Sequence, residues 1–379
     1  MFKNYALFLM LFSSSLMISQ TVSTVTQGSF TDALALDSQG NVYGSDWGGN
    51  TVYKYSTSGQ VSVFKNGFSN PNGIGVNASD EIFICDHTAN RIFKYNTNGD
   101  QLAVYTGLFV TPAGIKRIPN TTDMLVVEYG GTGYASRIKK LAADGTVTTL
   151  FTGTPLNGPA GIAFIGDTPY IANFNDRKIF KFENGSLTEI AQLQSEGPGN
   201  LNFLGFLSAL DGQLIATHMG GNKIYKIDPS TGTVSVYSGS TAGSADGDIA
   251  TATFTTPNGI IGDESNSRIY VSDLGTKNLR IINNAVLSIP SEELMQIAIT
   301  TYPNPSKDSL KIRISGILHH GKTDITVCNL SGKEVMKKSI EITDSVVEEE
   351  MNTSSWETGI YFISIQSDGK SYTKKIVIE

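Results

Sequence analysis

From about residue 30 to 284 the chain repeats one pattern of apolar and polar positions: a short apolar run, a turn, a second apolar run ending on a polar residue, and a third run. The first run reads Asn72-Gly73-Ile74-Gly75-Val76, Ala113-Gly114-Ile115, Ala160-Gly161-Ile162, Leu204-Gly205-Phe206 and Asn258-Gly259-Ile260, with Asp32-Ala33-Leu34 as the earliest copy. Counted from the glycine or its equivalent, the copies sit at 33, 73, 114, 161, 205 and 259, so the steps are 40, 41, 47, 44 and 54. Self-similarity at that period is the mark of repeat architectures such as solenoids and propellers.

The remaining runs decide between them. Ile82-Phe83-Ile84-Cys85-Asp86 and Arg91-Ile92-Phe93-Lys94-Tyr95 alternate apolar and polar residues and are rich in β-branched and aromatic side chains, which predicts half-buried strands. Glycine turns follow at Ser58-Gly59, Asn98-Gly99, Asp144-Gly145, Asn184-Gly185 and Thr231-Gly232, read as two-residue hairpins that need a positive φ. A fourth run, such as Val61-Ser62-Val63-Phe64, closes the unit. Each copy is therefore a four-stranded antiparallel meander, and six in a row predict a six-bladed β-propeller over residues 21–289. Ring closure falls to Val22-Ser23-Thr24-Val25-Thr26, with Ala285-Val286-Leu287-Ser288-Ile289 as the competing strand.

The succession Asn-Pro-Asn-Gly-Ile, Ile-Phe-Ile-Cys-Asp and Asn-Arg-Ile resembles the NHL repeat, and Ala242 to Gly247 leading to Pro257-Asn258-Gly259 resembles the linker of NHL propellers. The wider kinship takes in the gluconolactonase and senescence-marker propellers. It speaks for fold rather than function, since one propeller scaffold hosts enzymes and binders alike.

After about Ile289 the period stops. A linker over 290–300 leads to short alternating strands in 301–379, which predict a small Ig-like β-sandwich and make the whole chain all-β. This end resembles the C-terminal sorting domain of the type IX secretion system of Bacteroidetes, through Tyr302-Pro303-Asn304-Pro305, Leu330-Ser331-Gly332-Lys333, Thr358-Gly359-Ile360-Tyr361-Phe362 and Lys374-Lys375-Ile376-Val377-Ile378. The resemblance implies that the type IX machinery is a partner and that the protein is secreted or displayed at the outer-membrane surface. Residues 1–20, with Lys3 before the apolar stretch Ala6 to Phe12, read as a secretory signal peptide too short to anchor in a membrane. No later segment is apolar for long enough to span one.

The net charge of -7 repels phosphate backbones and disfavours nucleic acid as a partner. Gly316 to Thr323 has the spacing of a phosphate-binding loop, but Asp324-Ile325-Thr326-Val327-Cys328 after it reads as a strand, not the helix such a loop requires.

Meander geometry places the start of each first strand and the end of each second strand at one edge. Asp32, Asn72 and Asn258 then sit near the channel mouth, with Asp46, Asp86, Glu128, Asn173, His218 and Asp273 just outside them. In the gluconolactonase-like propellers an Asn or Asp before the first-strand glycine helps hold a divalent cation, which the resemblance extends to Asp32, Asn72 and Asn258 with calcium or magnesium. The family's early glutamate ligand has no counterpart here. The outer six are either ligand-binding or bonded to turn amides. His218 is expected to be exposed beside carboxylates, as a base, a ligand or a loop-entrance residue. Trp47 and Tyr134 offer flat apolar area to a glycan, peptide or protein. The expected function is an exported binding module on this face. The alternative is a metal-dependent lactonase-type hydrolase, which the missing glutamate and the lack of a complete catalytic set make the weaker reading.

Overall fold

The computed structural model describes residues 20–285, 287, 298–315, 321–342, 346–367 and 370–379. The signal-peptide reading of the N-terminus, most of the 290–300 linker and the first residues of the rejected phosphate loop lie outside them. The chain divides into two compact units, 1–288 and 289–379.

The first unit is a six-bladed β-propeller. Blade one consists of Leu34–Leu36, Val42–Ser45, Thr51–Tyr55 and Val61–Asn66, paired in that order, and blades two to five repeat the same antiparallel meander. The innermost strands of neighbouring blades pack side by side around the ring, and that of blade six, Pro257–Asp263, packs on Leu34–Leu36 of blade one. Burial follows the layering: Ile82–Asp86, a second strand, is wholly buried, whereas the fourth strand Val61–Asn66 has no buried residue.

The repeated glycine of the first strand is explained by close approach rather than by its φ. A Cβ on Gly73 would stand 2.1 Å from the Ala113 carbonyl oxygen of the next blade, one on Gly114 2.1 Å from that of Ala160, and one on Gly259 1.9 Å from that of Asp32. At these three contacts the inner strands of adjacent blades touch backbone to backbone, and only hydrogen fits between them.

Blade six is closed by the chain's own beginning. Thr21–Val25 is its fourth strand, running antiparallel to Asn278–Asn283 with Val22 opposite Ile282, and Val22 is buried at 3% exposure. Gly247 and Asp248 of the long linker add to the outer edge of that strand. This is the first of the two closures that the sequence left open.

The glycine turns differ from expectation in length. In blades one to three, residues 56–60, 96–100 and 142–146 separate the paired strand ends, so five residues connect the third and fourth strands. Gly59, Gly99 and Gly145 still take the left-handed conformation, at φ 82°, 84° and 89°. Only Asn184-Gly185 of blade four, between the paired Glu183 and Ser186, is a true two-residue turn with both φ positive.

The second unit has two antiparallel sheets. One holds Ala298–Tyr302, Ser309–Ser315 and Val346–Asn352; the other has the order Glu334–Ile342, Gly321–Asn329, Gly359–Ser367, Lys370–Ile378. Alternate residues Leu310, Ile312 and Ile314 of the first sheet meet Ile325, Val327, Ile363, Ile365, Ile376 and Ile378 of the second in one core. Lys322 and Thr323 lie within a strand, which removes the helix a phosphate loop needs. Among the described residues no helix is long and apolar enough to cross a membrane.

Candidate functional site

Strand register brings the expected residues to one rim. Pro71 pairs with Asp86, Pro112 with Glu128, Pro159 with Asn173, Leu204 with His218 and Pro257 with Asp273. A bulge follows the first-strand residue in each of these five pairs. Bulges re-aim side chains, and here Asn72, Ala113, Ala160 and Asn258 line the channel mouth. In blade five the register makes Leu204 the counterpart of Pro71 and Leu207 that of Ile74, so Phe206 stands where Gly73 stands. The sequence alignment of Gly205 with Gly73 was one residue off; Phe206, not Leu204, reaches the channel mouth, while Leu204 is buried in the core.

The six outer residues are engaged in holding the interblade loops. Asp46 Oδ1 accepts from the hydroxyls of Ser29 at 2.7 Å and Thr31 at 3.2 Å. Asp86 Oδ1 accepts the amides of Ser69 and Asn70 at 3.0 and 2.9 Å, and Arg91 donates to its other oxygen. Glu128 accepts the Val110 amide at 2.8 Å and pairs with Arg137 and Lys139. Asn173 donates to the Pro155 carbonyl at 2.9 Å, and Asp273 accepts the Thr255 amide at 2.8 Å. His218 is fully buried rather than exposed. Its Nδ1 accepts the Gly221 amide at 3.0 Å, which places the proton on Nε2, donated to the Gln194 carbonyl at 3.0 Å. With both ring nitrogens occupied and burial lowering its pKa, this histidine has no lone pair to offer a substrate.

The side chain after each outer residue does something different. Trp47, His87, Tyr129, Phe174, Met219 and Leu274, one per blade, surround a cavity of about 290 Å³ with Asp32, Asn72 and Asn258 among its lining. Four of them form an edge-to-face arc: Trp47 to His87 at 5.6 Å, His87 to Tyr129 at 5.9 Å and Tyr129 to Phe174 at 6.2 Å between ring centroids. Phe203 stacks behind Phe174 at 4.4 Å. His87 Nδ1 lies 3.3 Å from the Pro112 carbonyl, so Nδ1 carries the proton, and burial lowers the pKa against that hydrogen bond and the Asp86 charge. Of the residues singled out from sequence, Asp32, Asn72, Asn258 and Trp47 meet here. Tyr134 does not: it is 57% exposed, on a separate turn where it pairs with Gly131.

Asp32, Asn72 and Asn258 are 3%, 8% and 5% exposed. Their backbone carbonyls accept the hydroxyls of Ser272, Ser45 and Thr217 at 2.6, 2.7 and 2.5 Å, fastening each to the neighbouring blade. Asn258 Nδ2 donates to Asp32 Oδ1 at 2.8 Å. The remaining oxygens, Asp32 Oδ2, Asn72 Oδ1 and Asn258 Oδ1, are buried and have no hydrogen-bond partner. Such groups are rare in folded proteins and call for an explanation. Burial drives the Asp32 pKa well above the usual carboxylate range, against the Asn258 hydrogen bond that lowers it, with Asp46 adding to the rise.

The three oxygens match a divalent cation in kind but not in number. Calcium takes six to eight oxygens, and magnesium keeps several waters. Here one carboxylate and two amides supply three, beneath walls that are mostly aromatic and aliphatic. Among the described residues no group of three His, Cys, Asp or Glu side chains is placed to hold a metal ion.

Residues 300–379 match the family described as the secretion system C-terminal sorting domain. No curated protein is similar to the chain. Solved structures with a similar fold include a gluconolactonase of Xanthomonas campestris, 16% identical over 70% of this chain and 89% of that one, with a TM-score of 0.53. An auxiliary nutrient binding protein of Bacteroides thetaiotaomicron is 18% identical over 68% of this chain and 70% of that one, with a TM-score of 0.54. A streptogramin B lyase is 14% identical over 70% of this chain and 98% of that one, with a TM-score of 0.50. At these identities the likeness is one of fold. The chain is a β-propeller that carries a type IX sorting domain, and it is secreted or held at the cell surface.

Proposed function

We propose that the propeller is a binding module whose ligand enters the cavity at the channel mouth. The observation that supports this reading is the pairing of an aromatic arc with buried acceptor oxygens that have no partner in the protein. Pockets of a few hundred Å³ with apolar walls and a few placed polar groups are the usual form of small-ligand sites. The ligand is a small molecule, or the end group of a glycan or peptide, at the outer surface to which the sorting domain delivers the protein. The lactonase alternative draws less support. Among the six outer residues His218 has both nitrogens engaged, and the three inner oxygens bring only one charge to a metal.

The two tryptophans make this testable. Trp47 lines the cavity and Trp356 belongs to the second unit, so a Trp356→Phe variant reports on the cavity by its emission alone. Screening amines, monosaccharides, oligosaccharides and short peptides against that variant should give at least one class that shifts Trp47 emission. The shift should vanish when Ala160→Phe fills the cavity. No response across all four classes would sink the reading.

A further inference from the structure

We propose that the cavity recognises an organic ammonium group, the charged end of a primary amine with an apolar body. This rests on the binding reading above and adds the ligand's chemistry. The three unpartnered oxygens, Asp32 Oδ2, Asn72 Oδ1 and Asn258 Oδ1, come from the same register position of three consecutive blades, six, one and two. With Asp32 ionised all three are acceptors, and an ammonium carries three N–H donors and no acceptor. The ligand end that satisfies them is thus a donor-only group.

The walls separate an ammonium from a metal ion. A divalent cation with three protein oxygens must complete its shell with water, and Trp47, Tyr129, Phe174, Phe206, Met219 and Leu274 offer that water few partners. An alkylammonium needs no such shell. Its carbon body packs on apolar surface and its charge is attracted to aromatic rings, and Trp47, Tyr129 and Phe174 line the cavity. Burial lowers the His87 pKa and so disfavours a charged ring beside it.

Charge balance gives the site a signature. Burial favours the neutral form of Asp32, against the Asn258 hydrogen bond that favours the ionised one, and the Asp46 carboxylate adds to the effect of burial. A cation entering the cavity pulls the Asp32 carboxyl back to its ionised form, so a proton leaves as the amine binds. Affinity therefore rises with pH while the amine itself remains protonated.

The test uses the full chain carrying Trp356→Phe, with benzylamine, benzyl alcohol, calcium chloride and magnesium chloride as probes. Benzylamine should bind, and benzyl alcohol, nearly the same shape without the charge, roughly tenfold or more weakly, the worth of a charge-assisted hydrogen bond. Titration calorimetry in buffers of different ionisation enthalpy should show proton release on amine binding. Asp32→Asn should abolish both that release and the preference over the alcohol. Should Asp32→Asn fail to fold, Asn72→Leu removes a single acceptor and should weaken benzylamine while leaving benzyl alcohol unchanged. Equal affinity for amine and alcohol would overturn the ammonium assignment and leave the binding module standing. Stabilisation by calcium or magnesium with none by amine would overturn it in favour of a metal centre. No response to any probe, combined with failure of the broader screen, would remove the binding reading as well.

Discussion

Replacing Arg280 by methionine should expose how blade six holds together, because this arginine is fully buried beside an equally buried Asp273. Its guanidinium donates to the carbonyls of Thr253 at 2.6 Å and Ala245 at 2.9 Å and to Asp246 Oδ1 at 2.9 Å, and it lies 4.8 Å from the Phe254 ring centroid. Asp246 in turn accepts the Thr24 hydroxyl from the closing strand at 2.5 Å, so linker, latch and blade meet at one cation. The approach to Asp273 is looser, at 3.6 Å. Burial accordingly outweighs the arginine and the hydrogen bonds from Thr276 and Thr255, and it lifts the Asp273 pKa to about 6.

The sign follows from linkage. A carboxyl whose folded pKa lies above its unfolded value of about 3.9 contributes most stability below that value and loses it as pH rises towards the folded pKa. In the native protein this decline ends near pH 6. Without Arg280 the folded pKa climbs further, and stability keeps falling at about 1.4 kcal/mol per pH unit. At pH 7.5 the variant should then be about 2 kcal/mol worse, relative to the native protein, than it is at pH 5. The total loss at pH 7.5 should be about 3–5 kcal/mol, as for other buried pairs that lose one partner. Urea unfolding followed by Trp47 emission in a Trp356→Phe background reads the propeller alone. A deficit that is equal at both pH values would refute the coupling and assign the effect of Arg280 to its carbonyl contacts.

Three further outcomes follow from packing and burial. Val22→Asp sets a carboxylate where the closing strand is 3% exposed and should cost about 3 kcal/mol or more in urea unfolding, whereas Ser23→Asp on the exposed side of the same strand should cost little; equal effects would remove the latch. Gly259→Ala drives a methyl to within 1.9 Å of the Asp32 carbonyl oxygen and should destabilise by about 1–3 kcal/mol, against no change for Gly199→Ala, which meets nothing within 4 Å. Lys116, at a second cavity of about 470 Å³ bounded by the opposite ends of the first strands, makes no ion pair or hydrogen bond among the described residues, and burial holds its amine down at about 8. After ¹³C-dimethylation, one lysine resonance should titrate well below the others and be missing from Lys116→Met; a uniform set of titrations would contradict that placement.

The fold was legible because its physics repeats. In four blades the close contact demands a residue without a side chain at one position, and Gly73, Gly114, Gly161 and Gly259 write that demand into the sequence at a visible period, with Gly205 one residue away in blade five. The latch was harder to read, since Val22 to Thr26 and Ala285 to Ile289 are both short alternating runs. Nothing local marks Thr21–Val25 as the run that pairs with Asn278–Asn283. Turn length was misjudged because Ser58-Gly59 and Asn184-Gly185 look alike in sequence, while the register of the flanking strands sets five residues in one case and two in the other.

The inner residues and Trp47 were legible, whereas the rest of the outer lining lies one residue beyond the positions read from sequence, and the reason is the same alternation that revealed the strands. Successive side chains on a strand point to opposite sides, so the polar residue ending each second strand and the residue after it serve different ends. The polar one turns back to hold the loop entering its own blade, as Asp86 does with the amides of Ser69 and Asn70. Its neighbour, His87 in that blade, lines the channel mouth. A polar residue recurring in all six copies drew attention because it recurs, yet recurrence is what a structural demand common to every blade produces. The positions that vary from copy to copy, Trp47, His87, Tyr129, Phe174, Met219 and Leu274, are free of that demand and can be shaped to a ligand. The inner set obeys the same rule: Asp32, Asn72 and Asn258 break from Ala113 and Ala160 at a position where alanine suffices for the fold. That departure, together with oxygens left unpartnered in a buried place, is what supports the proposed ligand site.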